Sequence, residues 1–231
     1  LSAGVYDLKG QMLAQAVTGT PGHVNTMAMA VSHFLERFPV ETMKPGDVFV
    51  TNDPWMGTGH LFDYVTLTPA FRDEDPVAFF ASTCHVTDVG GRGFTADAGS
   101  MFEEGVLIPH MRIRSAGTLN DDLLGIIQAN SRNPVEVMGD IRSLLSCNDA
   151  GVARFADMLD EFGLDSLDDL SRHIIESSVT AMRQAIHSVP DGVYSAQMTI
   201  DGYEKPIALE ARLTVDKERI HLDYSGSSSA S

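Results

Sequence analysis

Apolar and polar positions change their period three times along this chain. Near the start, residues 3–6 and 11–17 alternate as strands do and flank Asp7-Leu8-Lys9-Gly10, a turn-compatible tetrad closed by glycine, which predicts a hairpin. Over 25–38 the side chains Met27, Val31, Phe34, Leu35 and Phe38 recur at the spacing of one helical face, and Pro39 ends the segment. Three β-rich runs follow at 47–51, 64–71 and 77–85. The last two are joined by the polar turn 72–76, which makes them antiparallel neighbours.

The middle of the chain reads as helical. Asn133-Pro134-Val135-Glu136 sets a capping residue, a first-turn proline and an acid in the capping-box position ahead of Val135, Met138, Ile141 and Leu145, and this helix is expected to run past Phe155 to Phe162. A second helix is expected from Ser166, with Asp169 three residues on, carrying Leu167, Leu170, Ile174, Met182 and Ile186 until Pro190. Together they predict a helical hairpin. Period two returns at 193–200, 207–215 and 219–225, three strands of a meander separated by the links 201–206 and 216–218.

Strands, then helices, then strands predict an α+β fold rather than an alternating nucleotide-binding one. Three regions are expected: a mixed or antiparallel sheet with one helix at 1–118, a helical hairpin at 119–190, and an antiparallel meander at 191–231 that continues beyond the chain. Both ends read as cut, the first inside a strand-like alternation and the last in a serine-rich loop.

Charge and composition narrow the function. Against 32 acidic side chains stand 16 basic ones, a net charge of -16, and no run of lysine or arginine is present to follow a phosphate backbone. This argues against nucleic acid and anionic membranes as partners. No apolar stretch approaches the roughly 20 residues of a membrane span, and no signal segment opens the chain, so a cytoplasmic protein is expected. Two cysteines, Cys84 and Cys147, are too few for a disulfide framework. Neither GxxxxGK[ST] nor GxGxxG occurs, so the chain carries no phosphate loop of its own.

The candidate chemistry lies at two strand ends. His60 and Asp63 stand three residues apart in NDPWMGTGHLFDYV, and His85 and Asp88 repeat the spacing in HVTDVGG. Imidazole nitrogen with carboxylate oxygen suits zinc, manganese or iron. The turn at 72–76 brings the start of one strand beside the end of the next, so the pairs converge at one sheet edge. Gly57, Gly59, Gly90 and Gly91 allow positive φ and close backbone approach there. Spacing alone also fits a structural His–Asp pair or a capped turn, and both readings stand at this point.

The segments NDPWMGTGHLFDYVTLTPAF, FASTCHVTDVGG, SMFEEGVLIPHMRI and ANSRNPVEVMGDI resemble, in order, the hydantoinase B type subunits. That family includes the corresponding halves of 5-oxoprolinase, N-methylhydantoinase and caprolactamase, and the large subunits of acetone and acetophenone carboxylases. The resemblance runs through nearly the whole chain. It implies one divalent metal (Zn, Mn or Fe) on His60, Asp63 and His85, with a further acidic position just before the first residue of this chain. It also implies a hetero-oligomer with a hydantoinase A type ATPase subunit, which spends ATP to phosphorylate the substrate or bicarbonate. The metal subunit then completes ring opening of a lactam or hydantoin. Carboxylation of a ketone is the alternative, and a third reading from another class is a non-catalytic scaffold for the ATPase partner.

Other residues carry two readings each. Asp88 is a candidate general base or a carboxylate orienting a ligand, and equally a cap for the turn into Gly90-Gly91. His23, ahead of the first helix, is a candidate catalytic group facing the site, or a capping or buried structural histidine. Glu103 and Glu104 could order a loop or bind a substrate amine, and Arg132 could pair with Asp140 or with an anionic intermediate. Trp55 could wall a pocket or pack a turn. Cys84 should point away from His85 into the core. The remaining histidines, His33, His110, His173, His187 and His221, read as structural or exposed.

Overall fold

In order along the chain come β1 (Ser2–Tyr6), β2 (Met12–Gln15), α1 (Pro21–Arg37), β3 (Val48–Thr51), β4 (Asp63–Arg72) and β5 (Asp75–His85). After them lie α2 (Met101–Glu104), β6 (Met111–Ser115), β7 (Thr118–Leu119), α3 (Asp121–Ala129), α4 (Pro134–Phe162), α5 (Asp168–His187), β8 (Gly192–Ile200), β9 (Ile207–Asp216) and β10 (Arg219–Asp223). The structure is a computed structural model and describes residues 1–17, 19–95, 97–202 and 205–229. The expected link 201–206 therefore runs through residues 203 and 204, outside the described residues, as are the last two of the serine-rich tail.

Two compact units form, Leu1–Ser171 and Arg172–Ser231, and α5 passes from the first to the second. In the first unit seven strands make one antiparallel sheet in the order β2-β1-β5-β4-β3-β6-β7. The β4–β5 hairpin is its centre, paired from Asp63 opposite His85 to Arg72 opposite Asp75, with Asp73 in the turn at φ 54°. β4 is buried along its first eight residues because helices cover both faces, which is why it lacks the strict alternation of a half-exposed strand. Pro69 within it lies beyond residues 65–67 that pair with β3, so its missing donor breaks no β3 ladder bond.

Strand parity sorts the two cores. Odd positions of β4 and β5 (Val65, Leu67, Phe79, Ala81) join Tyr6 and Phe49 beneath Met27, Val31 and Phe34 of α1. Even positions turn the other way, where Tyr64 and Cys84 pack with Ile141, Leu144 and Leu145 of α4 and with Leu123 and Ile127 of α3. That second interface holds a polar seam: Asn148 of α4, buried, donates from Nδ2 to Thr66 Oγ1 (3.2 Å), Thr68 Oγ1 (3.1 Å) and the Phe80 carbonyl (3.2 Å). Each donation offsets the desolvation of a group that burial would otherwise leave costly. Close approach of α4 is possible because Gly151 has no Cβ, which would stand 2.6 Å from the Phe80 ring.

Helix boundaries differ from the periodic expectation in ways that caps explain. α1 begins at Pro21, ahead of the first periodic residue, since proline is pre-organised for a first turn. α4 spans the expected 29 residues and ends on Gly163 in the left-handed conformation, but Asn133 makes no side-chain cap. Ser131 Oγ instead accepts from the Asn133 N–H at 3.0 Å. The short elements α2, β6, β7 and α3 are additions, and α3 is capped by Asn120, whose side chain accepts from the Leu123 N–H.

In the second unit β8, β9 and β10 form the expected antiparallel meander, with Val215 buried. The apolar stripe foreseen on α5 is exposed at Leu170 and Met182. Among the described residues no helix is long and apolar enough to cross a membrane.

Candidate metal centre

Asp63 and His85 are cross-strand partners at the open end of the β4–β5 hairpin, on the face that carries α1. Opposed residues in an antiparallel pair share a face, so the pairing delivers Asp63 Oδ1 to within 2.9 Å of His85 Nδ1. His60 arrives from the loop before β4, with Nδ1 3.7 Å from Asp63 Oδ2. Metal–ligand bonds of about 2.0–2.2 Å set tetrahedral ligand atoms roughly 3.4 Å apart. One ligand atom from each of His60, Asp63 and His85 lies within 4.8 Å of the others, so the donor set fits a divalent ion with small side-chain adjustments. Asp63 is 1% exposed while the side chains of His60 and His85 are 58% and 40% exposed, an arrangement with an anchored carboxylate beneath and an open side above.

Several groups hold that arrangement. Thr58 Oγ1 donates to Asp63 Oδ2 at 3.2 Å. Phe62 stacks on the His85 ring at 5.4 Å and 13°, and Phe94 meets the same ring edge-on at 5.0 Å. Asn52, fully buried, donates to the carbonyls of Leu61 (2.8 Å) and Val106 (3.0 Å) and accepts from the Ile108 N–H (2.6 Å), tying the His60 loop to the segment that enters β6. Asp53 closes the preceding turn through the N–H groups of Trp55 and Met56.

His23, in the first turn of α1, points into the same corner. Its Nε2 lies 3.5 Å from Asp63 Oδ2, and its Nδ1 is 3.1 Å from the Ser2 hydroxyl on β1. Ser2, Thr58, Asn52 and Phe94 carried no assignment from sequence. Asn52 stands in the NDPW motif, whereas Phe94 lies in a loop with no periodic signal.

Asp88 lies outside the ligand group. It is buried and accepts from the Gly90 N–H (3.1 Å), the Arg132 N–H, and Nε and Nη2 of Arg132. The Arg132 guanidinium holds this carboxyl well below the usual range, at about 2. A carboxylate so stabilised is a poor proton acceptor near neutrality. Arg132 thus pairs with Asp88, and its Nη2 also donates to the Gly90 carbonyl (3.1 Å). Glu103 is taken by Arg92 (3.3 Å) and the Gly99 N–H (3.2 Å), while Glu104 lines an open pocket of about 340 Å³ beside His60 and Phe62. Trp55 is 87% exposed and does not line that pocket. Cys84 is buried among apolar neighbours, which pushes its thiol up to about 12. His110 packs edge-on to Phe34 with Nε2 buried, and burial lowers its pKa.

Comparison with known proteins places the chain in a family. The putative B-type component of a D-/L-hydantoinase from Pseudomonas sp. (strain NS671) is 27% identical over 97% of this chain and 40% of its own length. The 5-oxoprolinase of Dictyostelium discoideum is 27% identical over 98% of this chain and 18% of its own length. Among solved structures, the ATP-dependent caprolactamase of Pseudomonas jessenii superposes with a TM-score of 0.86 at 23% identity, covering 96% of this chain and 39% of that one, and so shares the fold. The chain accordingly spans 40% or less of the length of these relatives. The family model described as hydantoinase B/oxoprolinase matches residues 1–231, and the chain belongs to that family.

Proposed function

We propose that this chain is the metal-binding catalytic segment of an ATP-dependent cyclic-amide hydrolase, with His60, Asp63 and His85 as ligands to one divalent ion of zinc, manganese or iron. The observation that carries the reading is the cross-strand pair Asp63–His85 with His60 beside it, the carboxylate buried and His60 also lining a pocket. A divalent ion bound there supplies Lewis acidity toward a carbonyl oxygen or a water molecule. The chain's own residues do the rest. Asp63 is held in place by Thr58 Oγ1 and His85 Nδ1, one on each carboxylate oxygen. Phe62 and Phe94 fix the His85 ring plane, one stacked on it and the other edge-on. His23, braced by Ser2, faces Asp63 Oδ2 and positions that oxygen. Asp88 caps the 88–91 turn and ties it to Arg132, the turn-capping one of its sequence readings.

Phosphorylation of the ring amide takes place on a hydantoinase A type ATPase partner in a hetero-oligomer, which accords with relatives named as subunits of larger enzymes. Cytoplasmic action goes with the two free cysteines. The test is elemental analysis of the full polypeptide, purified with its partner, for wild type and for His60→Ala and His85→Ala. About one divalent ion per chain is expected in the wild type, lost in both variants together with ATP-dependent ring opening of a lactam or hydantoin. A folded wild type without metal refutes the reading. ATP turnover stimulated only by a ketone with bicarbonate transfers the site to carboxylation.

A further inference from the structure

Glu104 and Phe94 face one pocket from opposite chemical extremes, and the charges around them are unequal. The pocket beside His60 holds about 340 Å³, more than a bare five-membered ring needs and within the range of small-molecule sites. One wall is aromatic: Phe62 and Phe94 meet edge to face at 5.4 Å, and Phe94 also lies edge-on to His60 at 6.1 Å and to His85 at 5.0 Å. Phe94 is nevertheless 72% exposed. A large apolar ring left in water at the mouth of a pocket gains when a ligand's apolar surface covers it.

The ionisable side chains lining the pocket are His60 and Glu104. Glu104 is half-buried and, among the described residues, takes part in no hydrogen bond or ion pair, in contrast to its neighbour Glu103. The two guanidinium groups of the adjoining loops are already engaged, Arg92 with Glu103 and Arg132 with Asp88 and the Gly90 carbonyl. Among the described residues, no basic side chain of this pocket's wall is therefore free to receive a substrate carboxylate, and Glu104 would repel one; a divalent ion on His60, Asp63 and His85 would be engaged by the ring amide in the reading above, so a carboxylate would compete with the amide instead of adding to its binding. An N–H donor, by contrast, finds an unoccupied acceptor in Glu104.

We infer that this pocket selects uncharged cyclic amides carrying an apolar substituent, with Phe94 covering the substituent and Glu104 accepting an N–H, and that it discriminates against substrates bearing a carboxylate. This rests on the cyclic-amide reading above and specifies the substrate within it.

The closing experiment uses the full polypeptide with its ATPase partner and a matched pair of probes, hydantoin-5-propionamide and hydantoin-5-propionate, which differ by one charge at nearly constant shape. The amide is expected to show at least a tenfold higher kcat/KM, Glu104→Gln to narrow the ratio, and Glu104→Lys to shift it by tenfold or more toward the carboxylate, with metal content unchanged. Phe94→Ala is expected to raise KM for 5-benzylhydantoin more than for 5-methylhydantoin. Equal use of the two probes, preference for the carboxylate, or a ratio that Glu104→Gln and Glu104→Lys both leave in place overturns the inference. Calorimetric binding of the same probes reads the preference without turnover. A protein that binds the amide selectively but opens no ring leaves the pocket assignment standing and removes the hydrolase reading, whereas ring opening without selectivity does the reverse. Binding of neither probe overturns the inference as well.

Discussion

Replacing Asp88 with asparagine separates a positioning carboxylate from a catalytic base. Asparagine keeps one acceptor for the Gly90 N–H but loses the charge that meets Arg132. The depression of the Asp88 carboxyl from 3.8 to about 2 corresponds to about 2–3 kcal/mol at roughly 1.4 kcal/mol per unit. The Arg132 side chain is 59% exposed, and solvent screening reduces this to about 1 kcal/mol. For a chain of this size that is a fall in Tm of about 2–4 °C.

The pH dependence follows in sign. Folding depresses the Asp88 pKa, so its contribution is complete above the unfolded value near 4 and disappears as pH falls toward about 2. The gap in Tm between wild type and Asp88→Asn should be full at pH 7 and narrow below about pH 4. Differential scanning fluorimetry across that range measures it, and steady-state turnover of the partnered polypeptide at pH 7 supplies the second readout. Loss of a general base costs about 10²–10⁴ in rate, whereas a positioning residue this far into a turn should cost less than about tenfold. An unchanged Tm with metal retained and turnover down more than a hundredfold would refute the reasoning and restore Asp88 as a base.

Three further outcomes are expected. Asn52→Ala leaves the Leu61 and Val106 carbonyls and the Ile108 N–H unpaired in the interior, costing about 3 kcal/mol; chemical denaturation checks this, and metal affinity should fall with it. Gly91→Ala forces a Cβ to 2.4 Å from the Glu103 carbonyl oxygen at φ +53°, so the 91–105 loop should become protease-sensitive while far-UV circular dichroism is kept. Cys84, its thiol held near 12 by burial, should resist a thiol reagent at pH 8 until denaturant is added, and rapid labelling of Cys84 in the folded protein would contradict the packing described.

Much of the architecture follows from short-range rules that a linear chain displays. The 72–76 turn, the alternation on either side of it and the glycine and proline punctuation of the helices are local, and they also set which strand ends meet; that is why the pairs His60–Asp63 and His85–Asp88 could be brought to one sheet edge from the chain path, whereas the ligand set without Asp88 came from the family resemblance. Short elements escaped, because α3 is nine residues long and β6 five, too few for a period to stand out. The even-numbered polar residues Thr66, Thr68 and Ser82 drew no reading from the sequence; α4 covers them, and Asn148 satisfies two of their hydroxyls across 80 or more positions of sequence. The fate of Asp88 was likewise a tertiary matter. Its neighbours in sequence allow a base or a cap, and only the arrival of Arg132 from 44 residues away makes it a bound, strongly acidic anchor. His23, held by Ser2, meets Asp63 because a helix and an edge-adjacent strand converge on one sheet face, and Phe94 comes against His85 by the path of a loop with no period at all. Periodicity records which residues avoid water; which polar groups find one another depends on long-range packing, where a single hydrogen-bond partner decides the chemistry a side chain can perform.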